Sequence, residues 1–329
     1  MTVTIGRREL LAALGGAAAA WPLAARGQQS AKLPVIGVLG FGWPEASVAA
    51  AFHKGLNETG YSEGRNVAIE FRWAQNDTAR LVDLAADLVR QRVSVIAALG
   101  GTSALAAKAA TATIPIVFNT AGDPVQMGLV ASLNRPGGNV TGIADLHMQL
   151  AAKRLGFLYE LLPRATRLAV LVNPNSRVVQ TEIAEAQAAA AAIGRELDVV
   201  GASTSREIDI AFASLVQKRM DGLLVGPHSF FLNRRAQLVT LTARHALPTM
   251  FGFREITEAG GLMSYGASLS DEDRQVGIYV GRVLKGEKPA DLPIMQPTKF
   301  EFVINLQTAR VLGIDVPPTL LSLADEVIE

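Results

Sequence analysis

Polar side chains follow an apolar run at a place where a small molecule could bind. The β-branched run 114–118 leads into Asn119, Thr120 and, a few residues later, Asp123. In open α/β sheets, ligands bind beyond the carboxyl ends of the strands. An ionised Asp123 in a partly dry cleft would bind a ligand ammonium group. Asp-Pro is equally an ordinary start of a turn or helix, so a capping role for Asp123 stays open.

A second polar turn follows the run 94–99 and opens an alanine-rich helix. It contains Gly101, Thr102 and Ser103. Free N–H groups at a helix start, together with two hydroxyls, suit a carboxylate. The alternative is that the glycines only permit the turn and that Ser103 caps the helix. With the ammonium-seeking Asp123 nearby, this turn predicts a site for an α-amino acid.

Aromatic and polar residues on other predicted turns could complete such a site. Trp43 lies in a polar, Gly/Pro-flanked turn. Phe230 follows the predicted strand 222–225, and Tyr265 ends the predicted strand 262–265. They could stack on an apolar or aromatic side chain of a ligand, although core packing is the alternative for such residues. Asn173 and His228 are the candidates of the second half of the chain, and each could instead cap the following helix.

Strands and helices must alternate for these turns to meet. Continuous apolar runs typical of buried parallel strands recur, separated by segments with helical spacing. Strands are predicted at 35–40, 67–73, 94–99, 114–118, 167–172, 197–201, 222–225, 248–251, 262–265 and 299–305. This order predicts an α/β fold with two doubly wound parallel-sheet lobes and a ligand cleft between them.

Composition excludes several functions. The chain has 329 residues, no cysteine and a formal charge of +1, without a basic block that would suit nucleic acid. The four histidines, His53, His147, His228 and His245, show no metal-ligand spacing, and no nucleophile elbow or phosphate-binding loop is present. We therefore expect no enzyme, no metal and no cofactor.

The N-terminus indicates export. Arg7 and Arg8 precede a mild apolar run, and small residues around Arg26 suit cleavage near Gln28. Residues 1–27 are therefore predicted to be a twin-arginine signal peptide, with an ordinary Sec signal as the alternative. Its loss would remove three arginines and one glutamate from 31 basic and 30 acidic residues, leaving a mature chain close to neutral.

Three long segments carry a resemblance to a known family. Residues 55–67, GLNETGYSEGRNV, residues 114–142 and residues 299–306, KFEFVINL, resemble the tryptophan/aromatic amino-acid-type substrate-binding proteins of ABC transporters. The resemblance implies a type I periplasmic-binding-protein fold whose chain crosses between lobes near 145, 268 and 293. Lobe 1 would then comprise 33–145 plus about 269–292, and lobe 2 would comprise 146–268 plus about 293–329.

The same resemblance implies a function. We expect a periplasmic, monomeric receptor that captures a small metabolite by lobe closure and delivers it to an ABC permease in the inner membrane. The expected ligand is an amino acid with an aromatic or branched apolar side chain. The alternatives are a ligand-sensing subunit of a signalling receptor and an α/β enzyme acting on a small metabolite.

Overall fold

The structure, a computed structural model, describes residues 33–145, 150–297 and 300–329. The predicted signal peptide at 1–27, His147 and Lys299 lie outside these ranges. Within the described ranges, no helix combines the length and the apolar character that a membrane span requires.

Strands and helices alternate along most of the chain. The strands are β1 Val35–Gly40, β2 Ala68–Trp73, β3 Val95–Leu99, β4 Ile116–Thr120, β5 Val140–Ala144, β6 Arg167–Val172, β7 Glu196–Gly201, β8 Gly222–Val225, β9 Thr249–Phe251, β10 Met263–Ala267, β11 Phe300–Asn305 and β12 Glu326–Ile328. The α-helices are α1 Ala46–Glu58, α2 Thr78–Arg90, α3 Gly101–Ala110, α4 Ala151–Leu161, α5 Val179–Ala192, α6 Ser205–Gln217, α7 Ser229–Leu232, α8 Arg235–Arg244, α9 Arg254–Glu258, α10 Leu269–Leu284, α11 Leu306–Val311 and α12 Pro318–Leu323.

The first lobe is built on a parallel sheet of order β2-β1-β3-β4-β5. Its central strands are buried on both faces, as their continuous apolar sequences predict. Helices α1 and α10 pack on one face, and α2 and α3 pack on the other. The edge strand β5 was not predicted, because its short sequence VTGIA follows a Gly/Asn-rich segment that is typical of a loop.

Strand β4 ends two residues later than predicted. Asn119 and Thr120 are therefore its last two residues and are not part of the following turn. Both side chains are buried, at 6% and 4% exposure. Their position on the strand fixes the direction of each side chain, because successive residues of a strand point to opposite faces.

The second lobe is built on a sheet of order β12-β11-β10-β9-β8-β6-β7. Strands β6 to β10 are parallel, as predicted, whereas β11 runs antiparallel to β10. The edge strand β12 was not predicted. Two parallel-sheet lobes with covering helices agree with the predicted fold class, and both belong to one compact unit, Pro34–Glu329.

Helix α10 returns from the second sheet and packs closely against α1. Gly55 and Gly277 make this approach possible, because a Cβ on either would overlap the backbone of the facing helix. The first turn of α10 carries Glu272 and Asp273. Close helix packing therefore fixes two acidic side chains near the strand ends of the first lobe.

Sheet membership changes at three places. Strand β5 belongs to the first sheet and α4 packs on the second, so one change falls between Asp145 and Leu150. Another lies at Ser268, between β10 and α10. Met295 still donates its N–H to Gly142 of β5, at 3.0 Å, so the third change falls between Met295 and Phe300.

Candidate functional site

A cavity of about 720 Å³ lies between the two lobes. Its walls come from the segments that follow β1, β3 and β4 on one side and β6, β8 and β9 on the other. This is the position at which open α/β sheets bind their ligands. The volume is within the usual range for small-molecule sites.

The structure brings six of the eleven predicted site residues to this cavity: Trp43, Gly101, Thr102, Asn119, Thr120 and His228. The other five do not contribute to the wall: Ser103, Asp123, Asn173, Phe230 and Tyr265. The strand-end rule therefore located the cavity, but it did not separate residues that face the cavity from residues that support it.

Asp123 has the local capping role that the sequence left open as the alternative to an ammonium contact. Its Oδ1 accepts hydrogen bonds from the backbone N–H groups of Val125, at 2.8 Å, and Gln126, at 3.2 Å. The segment after it, residues 124–128, forms turns. The carboxylate accepts hydrogen bonds from the turn that it stabilises, which is the usual role of Asp before Pro.

The remaining four residues are buried beside the cavity wall. Phe230 and Tyr265 belong to hydrophobic cores of the second lobe, where Tyr265 packs edge-to-face on Phe157 at 5.4 Å. Ser103 is fully buried in α3. Asn173 accepts a hydrogen bond from the N–H of Asn175, at 2.9 Å, and so shapes the loop after β6.

The N-terminus of α3 faces the cavity without a side-chain cap. Gly100, the residue before the helix, has a φ of +89° and no capping hydrogen bond. A Cβ on Gly101 would lie 2.8 Å from Oγ1 of Thr120, so only glycine fits without displacing that side chain. Gly101 and Thr102 thus present free N–H groups to the cavity, where the helix dipole favours an anion.

Asn119 links this helix start to the acidic side of the cavity. Its Oδ1 accepts from the N–H of Gly100, at 2.6 Å, and its Nδ2 donates to Oδ1 of Asp273, at 3.0 Å. The two bonds use the acceptor and the donor of one amide, and they fix its orientation. An anion-favouring helix end and a carboxylate therefore lie on opposite sides of a single amide group.

The acidic side chains of the wall were not predicted from the sequence. Asp145, Glu272 and Asp273 are 3–5% exposed, and Glu255 lies on the opposite lobe. Burial raises the pKa of Glu272 and of Asp273 well above the usual range, with further contributions from neighbouring carboxylates. Burial also raises the pKa of Glu255 to about 7. The wall thus holds acids that carry protons more readily than exposed ones.

A sequence signal for these acids existed. Asp145 directly follows β5, so recognition of that strand would have placed Asp145 with the other strand-end residues. Glu272 and Asp273 belong to the run SDED at the start of α10, where acids are favoured by the helix dipole and look like ordinary capping residues. Only the packing of α10 under the first lobe brings them to the cavity.

His228 is a neutral part of the wall. Its Nδ1 accepts from the N–H of Phe230, at 3.0 Å, which places the ring at the start of the short helix α7. Burial lowers the pKa of His228 to about 4. The imidazole therefore contributes shape and hydrogen bonding, and it adds no charge at neutral pH.

Apolar side chains form the opposite part of the wall. Trp43 is 51% exposed, and Trp73 is stacked on Phe71 with ring centroids 6.5 Å apart and planes 5° from parallel. Leu81 and Val82 of α2 lie in the same wall. Because indole rings offer large flat apolar surfaces, this side suits an aromatic or aliphatic group.

The two lobes contact each other across the cavity mouth. Arg235 and Glu45 form an ion pair with Nη1 and Oε1 3.0 Å apart. Asn233 donates from Nδ2 to Oδ1 of Asn76, at 2.9 Å. A Cβ on Gly42 would lie 2.5 Å from Oδ1 of Asn233, so glycine permits this approach. These contacts link residues of the two lobes at the cavity wall.

The groups of the cavity wall can bind a small molecule. Among residues 33–145, 150–297 and 300–329, no group of three or more His, Cys, Asp or Glu side chains is arranged to hold a metal ion. The cavity combines an anion-favouring helix end, a buried acidic wall and an aromatic wall. Such a combination can bind a molecule with a carboxylate, an ammonium group and an apolar side chain.

Comparisons with known proteins agree with this geometry. Residues 46–328 match the family model described as ABC transporter substrate binding protein. The chain is 30% identical over 261 residues to the tyrosine-binding protein of Clostridioides difficile (strain R20291). These aligned residues make up 79% of this chain and 75% of that protein.

Two solved structures are also similar. The ABC domain of Streptococcus pneumoniae in complex with L-Trp is 25% identical with a TM-score of 0.83, covering 90% of this chain and 100% of that one. A ligand-free, open substrate-binding protein with adhesive properties from Clostridium difficile is 25% identical with a TM-score of 0.66, covering 90% and 99%. From the family match and these relatives, the chain belongs to the ABC transporter substrate-binding proteins.

Proposed function

We propose that this chain is the exported substrate-binding subunit of an ABC importer and that it captures an amino acid with an aromatic or branched apolar side chain. The observation that carries the proposal is the cavity, in which an uncapped helix start and a buried acidic wall lie on opposite sides of Asn119. The tyrosine-binding relative and the L-Trp complex support an aromatic amino acid as the ligand.

We propose a place in the wall for each part of an amino acid. The ligand carboxylate accepts hydrogen bonds from the N–H groups of Gly101 and Thr102 at the start of α3. The ligand ammonium group points to the carboxylates that include Asp273. The side chain of the ligand stacks near Trp43 and Trp73.

Lobe closure completes the site. The cross-lobe contacts of Arg235 and Asn233 support a closed arrangement in this structure. At equal identity and coverage, the TM-score is 0.83 to the L-Trp complex and 0.66 to the open, ligand-free relative. A ligand that contacts both lobes favours closure because its affinity for the closed state is higher.

Export and delivery complete the proposal. The twin-arginine pattern at Arg7 and Arg8 supports export, and the neutral mature chain supports a freely diffusing receptor. In the periplasm the closed, loaded monomer passes its ligand to a permease in the inner membrane and catalyses no reaction. Cell fractionation tests the location: a mature chain found only in the cytoplasm contradicts it.

Thermal unfolding of the mature chain with each of the twenty L-amino acids tests the function. A ligand that binds only the folded state at 100 times its Kd adds about 2.7 kcal/mol to the free energy of unfolding. At roughly 2–4 °C for each kcal/mol, we expect a rise in Tm of about 5–10 °C. An aromatic or branched apolar amino acid should give the largest rise. No rise with any amino acid would contradict the proposal.

A further inference from the structure

Two buried carboxyl groups of the cavity wall are hydrogen-bonded to each other. Glu272, in the first turn of α10, and Asp145, just after β5, share this bond. Two carboxylates both lack a proton to donate, so such a bond requires that one of the groups is protonated. In the absence of a ligand cation, the pair therefore holds a proton.

The surroundings indicate which of the two groups carries the charge. The positive charge of Arg154, a fully buried residue of α4, acts on Asp145. Arg154 is itself fixed by a hydrogen bond of 2.7 Å from its Nε to the carbonyl oxygen of Tyr265. A nearby cation favours the ionised form of a carboxyl group. The proton is therefore assigned to Glu272, which donates to Asp145.

Glu272 also presents an unused acceptor. Its Oε1 has no hydrogen-bond partner among the described residues, although the side chain is only 3% exposed and lines the cavity. A buried oxygen without a partner costs about 1–3 kcal/mol. A ligand N–H group at this position removes that cost. The unpaired oxygen thus points to a place for a hydrogen-bond donor.

We propose that Glu272 and Asp145 form the ammonium subsite of the cavity and that the ammonium group of a ligand enters it in exchange for the proton shared by the two carboxyl groups. The proton passes to solvent, both carboxylates become charged, and the ammonium group donates to Oε1 of Glu272. The chemical class of the ligand is a primary amine with one positive charge. This inference rests on the proposed function, because it concerns the same cavity.

The charges around the pair are consistent with the exchange. Burial and the charge of Asp145 raise the pKa of Glu272 well above its usual range. An ammonium group beside it would lower that pKa. The titratable and charged groups around the pair are Asp273 on α10, Arg154 and Glu182 on α4 and α5, Glu255 on α9, and Glu45 before α1.

Two of these neighbours titrate near neutral pH and need their own variants. Burial raises the pKa of Glu255 and of Glu182 to about 7. Glu255 lines the cavity from the second lobe, whereas Glu182 lies below the loop at Gly226 and is outside the main cavity wall. Glu255→Gln is therefore the matched control for Glu272→Gln, since both substitutions remove one buried carboxyl group of the same length.

Calorimetry in buffers of different ionisation enthalpy measures the exchange. L-tyrosine and L-tryptophan are titrated into the mature chain in phosphate and in Tris at neutral pH. We expect the wild type to release at least one proton for each ligand bound, so that the association constant rises by up to about tenfold per pH unit for each proton released. Tyramine should release a proton, whereas N-acetyl-L-tyrosine should not.

The variants decide between the outcomes. In Glu272→Gln we expect about one proton fewer to be released than in the wild type, and in Glu255→Gln we expect a smaller decrease. Binding without proton release in the wild type would overturn the exchange and leave the proposed function standing. Retained release in Glu272→Gln with loss in Glu255→Gln would overturn the assignment to the pair. No binding of any amino acid would overturn both the inference and the proposed function.

The protein without a ligand gives an independent test. Because the folded-state pKa of Glu272 is raised, its carboxyl group lowers the free energy of unfolding as pH rises from the unfolded pKa towards the folded one. Glu272→Gln should therefore have a Tm that falls less than that of the wild type as pH rises above the ordinary pKa of a glutamate. An equal fall in Tm would contradict a protonated Glu272.

Discussion

Replacing Asp273 with Asn should change folding and binding in opposite directions. Asp273 is 5% exposed and accepts a hydrogen bond of 3.0 Å from Asn119. Burial and then the charge of Glu255 raise the pKa of Asp273 well above its ordinary value. Asparagine keeps the shape and the acceptor oxygen but removes the charge. The substitution therefore tests the charge alone.

The sign of the folding effect follows from the raised pKa. The folded wild type binds the Asp273 proton more tightly than the unfolded chain, so its free energy of unfolding falls as pH rises from the unfolded pKa through the folded one. Each pH unit between the two values corresponds to about 1.4 kcal/mol, or roughly 3–6 °C in Tm. Asp273→Asn should therefore have the higher Tm at pH 7, and the difference should vanish near pH 4.

The binding effect has the opposite sign. A hydrogen bond between a charged pair contributes about 1.5–3 kcal/mol, which is roughly a 10- to 150-fold change in Kd. We expect Asp273→Asn to weaken the binding of the preferred amino acid by that factor. The two tryptophans of the predicted mature chain, Trp43 and Trp73, both line the cavity, so their fluorescence reports the binding of a non-indole ligand.

The control for this prediction is Asp83→Asn, on the exposed face of α2. It should leave both Tm and Kd near the wild-type values. A lower Tm of Asp273→Asn at pH 7 would refute the argument that the buried charge destabilises the fold. An unchanged Kd would refute the argument that this carboxylate belongs to the ammonium side of the site.

Three further substitutions test other parts of the account. Arg235→Ala removes the half-buried cross-lobe ion pair with Glu45 and should raise Kd by about 1.4- to 5-fold; a double-mutant cycle with Glu45→Ala measures the coupling, which 1 M salt should reduce. Asp123→Ala removes a turn cap and should cost about 0.5–2 kcal/mol of stability in denaturant titrations. Its Kd should equal that of the wild type, and a large loss of affinity would return Asp123 to the site. Trp43→Ala should weaken binding of an aromatic amino acid by about 2- to 13-fold in calorimetry but change binding of alanine little; equal effects on both ligands would argue against stacking.

Most of the fold was predictable from the sequence. Long apolar runs alternating with helical spacing identified the parallel strands β1, β3 and β6, because a strand buried on both faces leaves a continuous apolar signal. The signal fails for short edge strands such as β5 and β12, whose residues are few. It also does not report direction, so the antiparallel pairing of β11 with β10 could not be predicted.

Only the strand-end residues of the site were predictable from the sequence. Strand ends placed Asn119 and Thr102 at the cavity, because parallel strands that end at one edge bring their following residues together. The acids Glu272 and Asp273 come from a helix more than 150 residues further along the chain, and they reach the cavity through the packing of α10 on α1. Local sequence does not contain that packing, so the sequence pointed to Asp123, the nearest acid along the chain, and not to Glu272 and Asp273.

The central claim is that the cleft binds both charged groups of an amino acid. The most direct measurement takes the amino acid that gives the largest thermal shift. Its Kd is compared with the Kd of its decarboxylated amine and with the Kd of its N-acetyl derivative. Each derivative loses one charged contact worth about 1.5–3 kcal/mol, so both should bind at least roughly tenfold more weakly. If either derivative binds as tightly as the amino acid itself, the corresponding end of the cleft does not have the role assigned to it.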